Sequence, residues 1–166
     1  MVDFPIRQLV ALLAVVTLCG TVDLFAQTCK QVEGYLEETL VSSPTCVSPV
    51  GLCTVAQMFG TLKGQARFTA SAFIPSADTP ATGVVFVTGD TVLADARLGH
   101  NRGTLSVKNA AAYLTAADGN CDLVDNQTIV GGTGDFLGAS GSLRISGNFL
   151  PATGGVSKFE GTVCLP

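Results

Sequence analysis

Ile129-Val130-Gly131-Gly132-Thr133-Gly134-Asp135-Phe136-Leu137-Gly138-Ala139-Ser140-Gly141 is the stretch that decides the fold. Glycines clustered in this way cradle a dinucleotide pyrophosphate when a strand precedes them and a helix opens just behind. Here the residues behind them are Ser142 to Phe149, in which Leu143, Ile145 and Phe149 share one face and Arg144, Ser146 and Asn148 the other. Period two over that length is a half-buried strand. Too little chain remains after Gly141 for the rest of a doubly wound sheet, and no Lys-Ser/Thr ending marks a phosphate loop. Gly131, Gly132, Gly134, Gly138 and Gly141 instead read as a β-hairpin, supplying positive φ and a bend at a barrel rim. Phe136 and Leu137 are expected to anchor that turn against the core.

The same alternation runs outward along the chain. Phe68, Ala70 and Ala72 alternate with Arg67, Thr69 and Ser71, and Phe159, Val163 and Leu165 with Lys158, Glu160, Thr162 and Cys164. Val84 to Val87 is a continuous apolar run, consistent with a strand covered on both faces. Helical signals are thin: Gly34 interrupts Gln31 to Leu40, and the alanine-rich Asn109 to Ala117 lies between Leu105-Ser106-Val107 and a Gly119-Asn120 turn. Both read as strands. The expected segments are 32–41, 54–62, 65–74, 83–88, 91–98, 103–108, 110–116, 126–131, 141–149 and 156–164, with a loop over 76–82. Eight to ten short strands with Gly, Pro and Asp turns predict an all-β barrel or sandwich.

Leu9 to Leu18 is an apolar run of signal-peptide length, too short for a bilayer span, and Leu24-Phe25-Ala26 is a small-residue exit. Residues 1–26 are therefore expected to be a signal peptide, and 27–166 one domain, secreted or periplasmic. A lipoprotein reading of Cys19 is disfavoured by Leu18 before it. Export makes the cysteines readable as bridges. Cys46 and Cys53 flank the turn Ser48-Pro49-Val50-Gly51, so a local bridge closes a small loop. Cys29 and Cys164 lie at opposite chain ends, which a closed barrel makes neighbours, so they are the second expected pair, leaving Cys121 over. The charge of −4 suits solubility, and no basic patch with interleaved aromatics points to nucleic acid.

The stretch Val130-Gly131-Gly132-Thr133-Gly134-x-Phe136-x-Gly138-Ala139-x-Gly141, with a strand behind it, resembles the signature hairpin of dirigent proteins and allene oxide cyclases. It is more similar still to the bacterial secreted proteins called allene-oxide-cyclase-barrel-like, as are Cys46 to Thr54 and Glu160 to Leu165. The resemblance spans about residues 31 to 166, and its specific part is the hairpin. It implies a closed, calycin-like antiparallel barrel of eight strands, often trimeric in plant members. Cyclases of that kind use a pocket glutamate, and dirigent proteins fix the stereochemistry of a reactive intermediate. No pocket position of either can be matched from these motifs.

Among candidate chemical groups, Glu33, Tyr35 and Glu37 share one strand face. Facing inward, they could give an acid or base; facing water, they are solubility charges, the favoured reading. His100 stands alone in a Gly99-His100-Asn101-Arg102-Gly103 turn, without partners at metal-ligand spacing. Arg67, Arg97 and Arg144 lie on expected strands, where an inward arginine could grip a carboxylate. Asn126-Gln127-Thr128 is a glycosylation sequon. No metal and no cofactor is expected. Three functions stay open: a non-catalytic exported barrel binding a small apolar ligand or a partner protein, a cofactor-independent cyclase or stereochemistry-directing barrel, and a structural oligomer.

Overall fold

The structure is a computed structural model that describes residues 27–42, 44–115, 121–150 and 153–166. The expected signal peptide, with Cys19, and the Gly119-Asn120 turn lie outside the described residues. Eight strands succeed one another: β1 (Thr28–Leu40), β2 (Cys53–Gly60), β3 (Leu62–Pro75), β4 (Val84–Leu98), β5 (Asn101–Thr115), β6 (Cys121–Gly134), β7 (Ser140–Leu150) and β8 (Gly154–Leu165). A single helical turn, α1 (Thr79–Thr82), lies in the connection expected as a loop. Each strand pairs antiparallel with the next, and β1 pairs with β8, from Thr28 opposite Leu165 to Glu38 opposite Gly155. The sheet thus closes into a barrel, in which each of the eight described strands is paired on both sides.

Ten expected segments become eight strands because two apparent breaks are not turns. Gly89 sits inside β4, where a Cβ would come within 2.4 Å of the Phe68 ring. The glycine makes room for the aromatic side chain. Asn109 sits inside β5 and turns its side chain into the barrel.

The inward side chains form two apolar clusters, one towards each end. The larger gathers residues such as Val32, Leu62, Leu98, Leu105, Phe136, Phe159 and Val163. The smaller gathers Phe68, Ala70, Val87, Ala111 and Leu123, with Val50, Leu52, Val85 and Tyr113 packed against it.

The glycine hairpin joins β6 to β7 and closes the first of these ends. Gly134 has φ +62°, and the turn around it is tied by Asp135 N donating to Arg102 O (2.9 Å) and Ala139 N donating to Phe136 O (3.0 Å). A side chain at that φ is strained, so glycine suits the turn. Phe136 is fully buried as the hairpin's anchor. Leu137 corrects the expectation: it is 72% exposed, because the turn points consecutive residues to opposite sides. The run Val84 to Val87 is likewise covered on one face only. Val87 is buried, whereas Phe86 is 47% exposed on the outer wall.

Two disulfides brace the barrel. Cys29–Cys164 joins register partners on β1 and β8, and Cys46–Cys53 closes the connection between β1 and β2. Cys121 takes part in neither. The stapled connection folds over the barrel end opposite the glycine hairpin. Ser48 Oγ donates to Ala70 O (2.6 Å), and Ala70 N donates to Leu52 O (3.0 Å).

A polar belt inside the barrel

Between the two apolar clusters, the inward positions change character. Along β6 the inward residues are Leu123, Asp125, Gln127 and Ile129, so two polar side chains are bracketed by two apolar ones. Along β5, Asn109 stands between Val107 and Ala111; along β4, Thr91 precedes Leu93. Thr54 on β2 and Glu38 on β1 complete the belt, each next in its inward row to an apolar residue, Ala56 and Leu36. Strand alternation alone aims these side chains at one another across the lumen.

Their hydrogen bonds form a directed chain. Thr91 Oγ1 donates to Asn109 Oδ1 (2.9 Å), and Asn109 Nδ2 donates to Asp125 Oδ2 (2.6 Å). Gln127 Nε2 donates to the same Oδ2 (2.8 Å). Asp125 Oδ1 is buried and has no hydrogen-bond partner among the described residues, although the residue is only 6% exposed. On the facing wall, the Thr54 hydroxyl donates to Glu38 Oε1.

A cavity of about 40 Å³ opens on this belt. A water needs roughly 10–15 Å³ measured in this way, so the space suits about three waters or one small polar group. Its walls include Phe68, Tyr113, Met58, Leu105 and Ile145, together with all six belt residues, and none of its lining residues is Lys, Arg or His.

The electrostatics reflect that composition. Burial holds the Glu38 carboxyl above the usual carboxylate range; the Thr54 bond opposes the rise and the Asp125 charge adds to it. Burial likewise raises Asp125, against the lowering effect of the bonds from Gln127 and Asn109 and of the nearby Ala110 backbone. The Tyr113 hydroxyl is pushed up by burial and further by the two carboxyls. Both acids are thus held towards the protonated form more than ordinary carboxyls are.

The residues singled out from sequence sit elsewhere. Glu33, Tyr35 and Glu37 face outward on β1, and Tyr35 stacks on its cross-strand partner Phe59 with ring centroids 4.9 Å apart. Inward aim falls to their neighbour Glu38, whose row is Val32, Gly34 and Leu36. Arg67, Arg97 and Arg144 are on the outer wall, His100 is exposed in the β4–β5 turn, and Asn126 of the sequon faces outward. Among the described residues, no three His, Cys, Asp or Glu side chains gather to hold a metal ion.

Asp125 and Asn109 escape sequence reasoning because the expected strands stop beside them. The segment 126–131 begins one residue after Asp125, and Asn109 falls in the gap between 103–108 and 110–116. Gln127 lies inside its segment, but cutting the strand short hides its partnership with Asp125. The signal that finds them is parity: Leu123, Asp125, Gln127 and Ile129 form one unbroken period-two row.

No family model and no curated protein matches the chain. Among solved structures, it is similar to the pterocarpan synthase dirigent protein GePTS1, at 16% identity and a TM-score of 0.48, over 84% of this chain and 86% of that one. It is also similar to the pterocarpan synthase dirigent protein PsPTS1, at 15% identity and a TM-score of 0.46, over 82% of this chain and 94% of that one.

Proposed function

We propose that this protein is an exported barrel that holds a small molecule in its interior, with the ligand's polar end on the belt and its apolar part against the flanking clusters. The observation that carries this reading is Asp125, a residue that lines the cavity and whose buried Oδ1 lacks a partner among the described residues. A buried polar atom without a bond costs about 1–3 kcal/mol, a cost that a ligand group would remove. The cavity is smaller than the ~300 Å³ at which typical ligand sites begin, so the ligand, or its inserted end, is fragment-sized. Two disulfides support an oxidising compartment, in keeping with export.

The test is titration with short-chain alcohols while the methyl NMR signals of Met58 and Ile145 are monitored. Shifts confined to cavity-lining methyls are expected, and they should be abolished in Ala56→Ile, which fills the space. Shifts scattered over outer-wall methyls, or none, would sink the reading.

A second reading has its own support. Glu38 and Asp125, both raised by burial, are suited to pass a proton to a bound intermediate, as a cofactor-independent cyclase or stereochemistry-directing barrel requires. It predicts that Glu38→Gln spares binding but removes turnover. A third, a homo-oligomer such as a trimer, is supported by the outer apolar row of Ile74, Phe86 and Val124, which lie 48%, 47% and 37% exposed on β3, β4 and β6.

A further inference from the structure

We propose that the group the belt receives is a protonated amine, so that the ligand is a small organic cation entering with its ammonium end first. This rests on the interior-binding reading above and names the ligand class for that site.

The belt's hydroxyls are engaged, Thr54 on Glu38 and Thr91 on Asn109, and the carboxamides of Asn109 and Gln127 each give an N–H to Asp125 Oδ2. Asp125 Oδ1, on a residue 6% exposed that lines the cavity, has no partner among the described residues, and it is an acceptor once the carboxyl ionises. A group that meets the ionised carboxylate must donate.

Charge narrows the choice of donor. The titratable groups lining the cavity are Glu38 from β1, Tyr113 from β5 and Asp125 from β6; β2, β3, β4, β7 and β8 bring none, and no lining residue is basic. Two carboxyls that share a low-dielectric space without a counter-ion are each held back from ionising, and a cation between them would release both. A neutral hydroxyl would satisfy Oδ1 but leave the charge problem in place.

The walls point the same way. Phe68 and Tyr113 line the cavity with the two carboxyls, and aromatic rings beside acids are the surroundings in which an ammonium gains cation–π attraction as well as ion pairing. Room for about three waters admits an ammonium head on a short alkyl stem.

The experiment compares propylammonium chloride, 1-propanol and sodium propionate on the full oxidised protein, read by the Met58 and Ile145 methyl shifts. Propylammonium is expected to bind at least about tenfold more tightly than 1-propanol, with propionate excluded, and Asp125→Asn should remove that advantage. Wild-type calorimetry in two buffers of different ionisation heat, over a pH series that starts in the ordinary carboxylate range and runs upward, should show protons released with propylammonium and none with 1-propanol. The second readout needs no variant, so it holds even if Asp125→Asn folds poorly. Equal affinity for the alcohol, an advantage that survives Asp125→Asn, or no proton release would overturn the cation assignment while leaving the interior site intact. No cavity shift with any of the three probes would overturn both.

Discussion

The two buried carboxyls should make stability fall as pH rises, and Asp125→Asn tests it. Burial raises the Asp125 carboxyl above its unfolded value, so the native state holds the proton more tightly than the unfolded chain does. Between those two values the folded protein binds more protons, and stability falls as pH rises; above the folded value the loss is complete and the curve levels. The steepest slope one such group can impose is about 1.4 kcal/mol per pH unit. Asparagine can keep an oxygen facing Asn109 and Gln127 and carries no charge, so it removes the titration without emptying the site. Urea unfolding of both proteins, disulfides intact, from about pH 4 to about pH 8 gives the difference curve directly and cancels the acids that do not interact with Asp125, while Glu38, which the Asp125 charge helps to raise, changes in the same direction. The variant should be no more stable than the wild type at the acid end and should gain on it as pH rises from the unfolded to the folded value of Asp125, levelling above that. Parallel curves, or a variant that loses ground as pH rises, would refute the claim that desolvation outweighs the hydrogen bonds from Asn109 and Gln127 to Asp125.

The hairpin and the disulfides yield sharper structural expectations. Phe136→Ala should cost about 3–5 kcal/mol, the usual loss for a fully buried aromatic, whereas its 72%-exposed neighbour in Leu137→Ala should change stability by less than about 0.5 kcal/mol; equal melting shifts in circular dichroism would contradict the anchoring role of Phe136. Replacing both Cys29 and Cys164 with alanine opens a loop spanning 135 residues in sequence, against 7 for Cys46 and Cys53. Chain entropy then predicts losses of about 5 and about 2.5 kcal/mol respectively, and denaturant titration giving the reverse order would count against that account.

Most of the fold is legible because it is written in period two. The alternation in Ser142 to Phe149 and the absence of a helix behind the glycines exclude a nucleotide loop, and closure of β1 on β8 covers the two edges that an open sheet of these strands would leave bare. Local rules mislead where they meet a tertiary demand. Gly89 looks like punctuation, yet it is a gap for the Phe68 ring. Val84 to Val87 looks doubly buried, yet one face of that run is the outer wall of the barrel.

The candidate site divides along the same line. Each strand's alternation determines which residues share its inner face, and the chain alone settles that much: Glu38 rides with Val32 and Leu36, and Asp125 and Gln127 ride with Leu123 and Ile129. Which inner faces meet at one height in the lumen depends on the stagger between strands, set by bulges such as those between Leu93 and Ala96 and between Ser106 and Val107. Only closure of the sheet brings residues from β1, β2, β4, β5 and β6 into one belt, because no segment of sequence contains the register that aligns them. The Asp125 oxygen that has no partner among the described residues belongs to that level as well, since which groups come near it depends on how the strands are brought together.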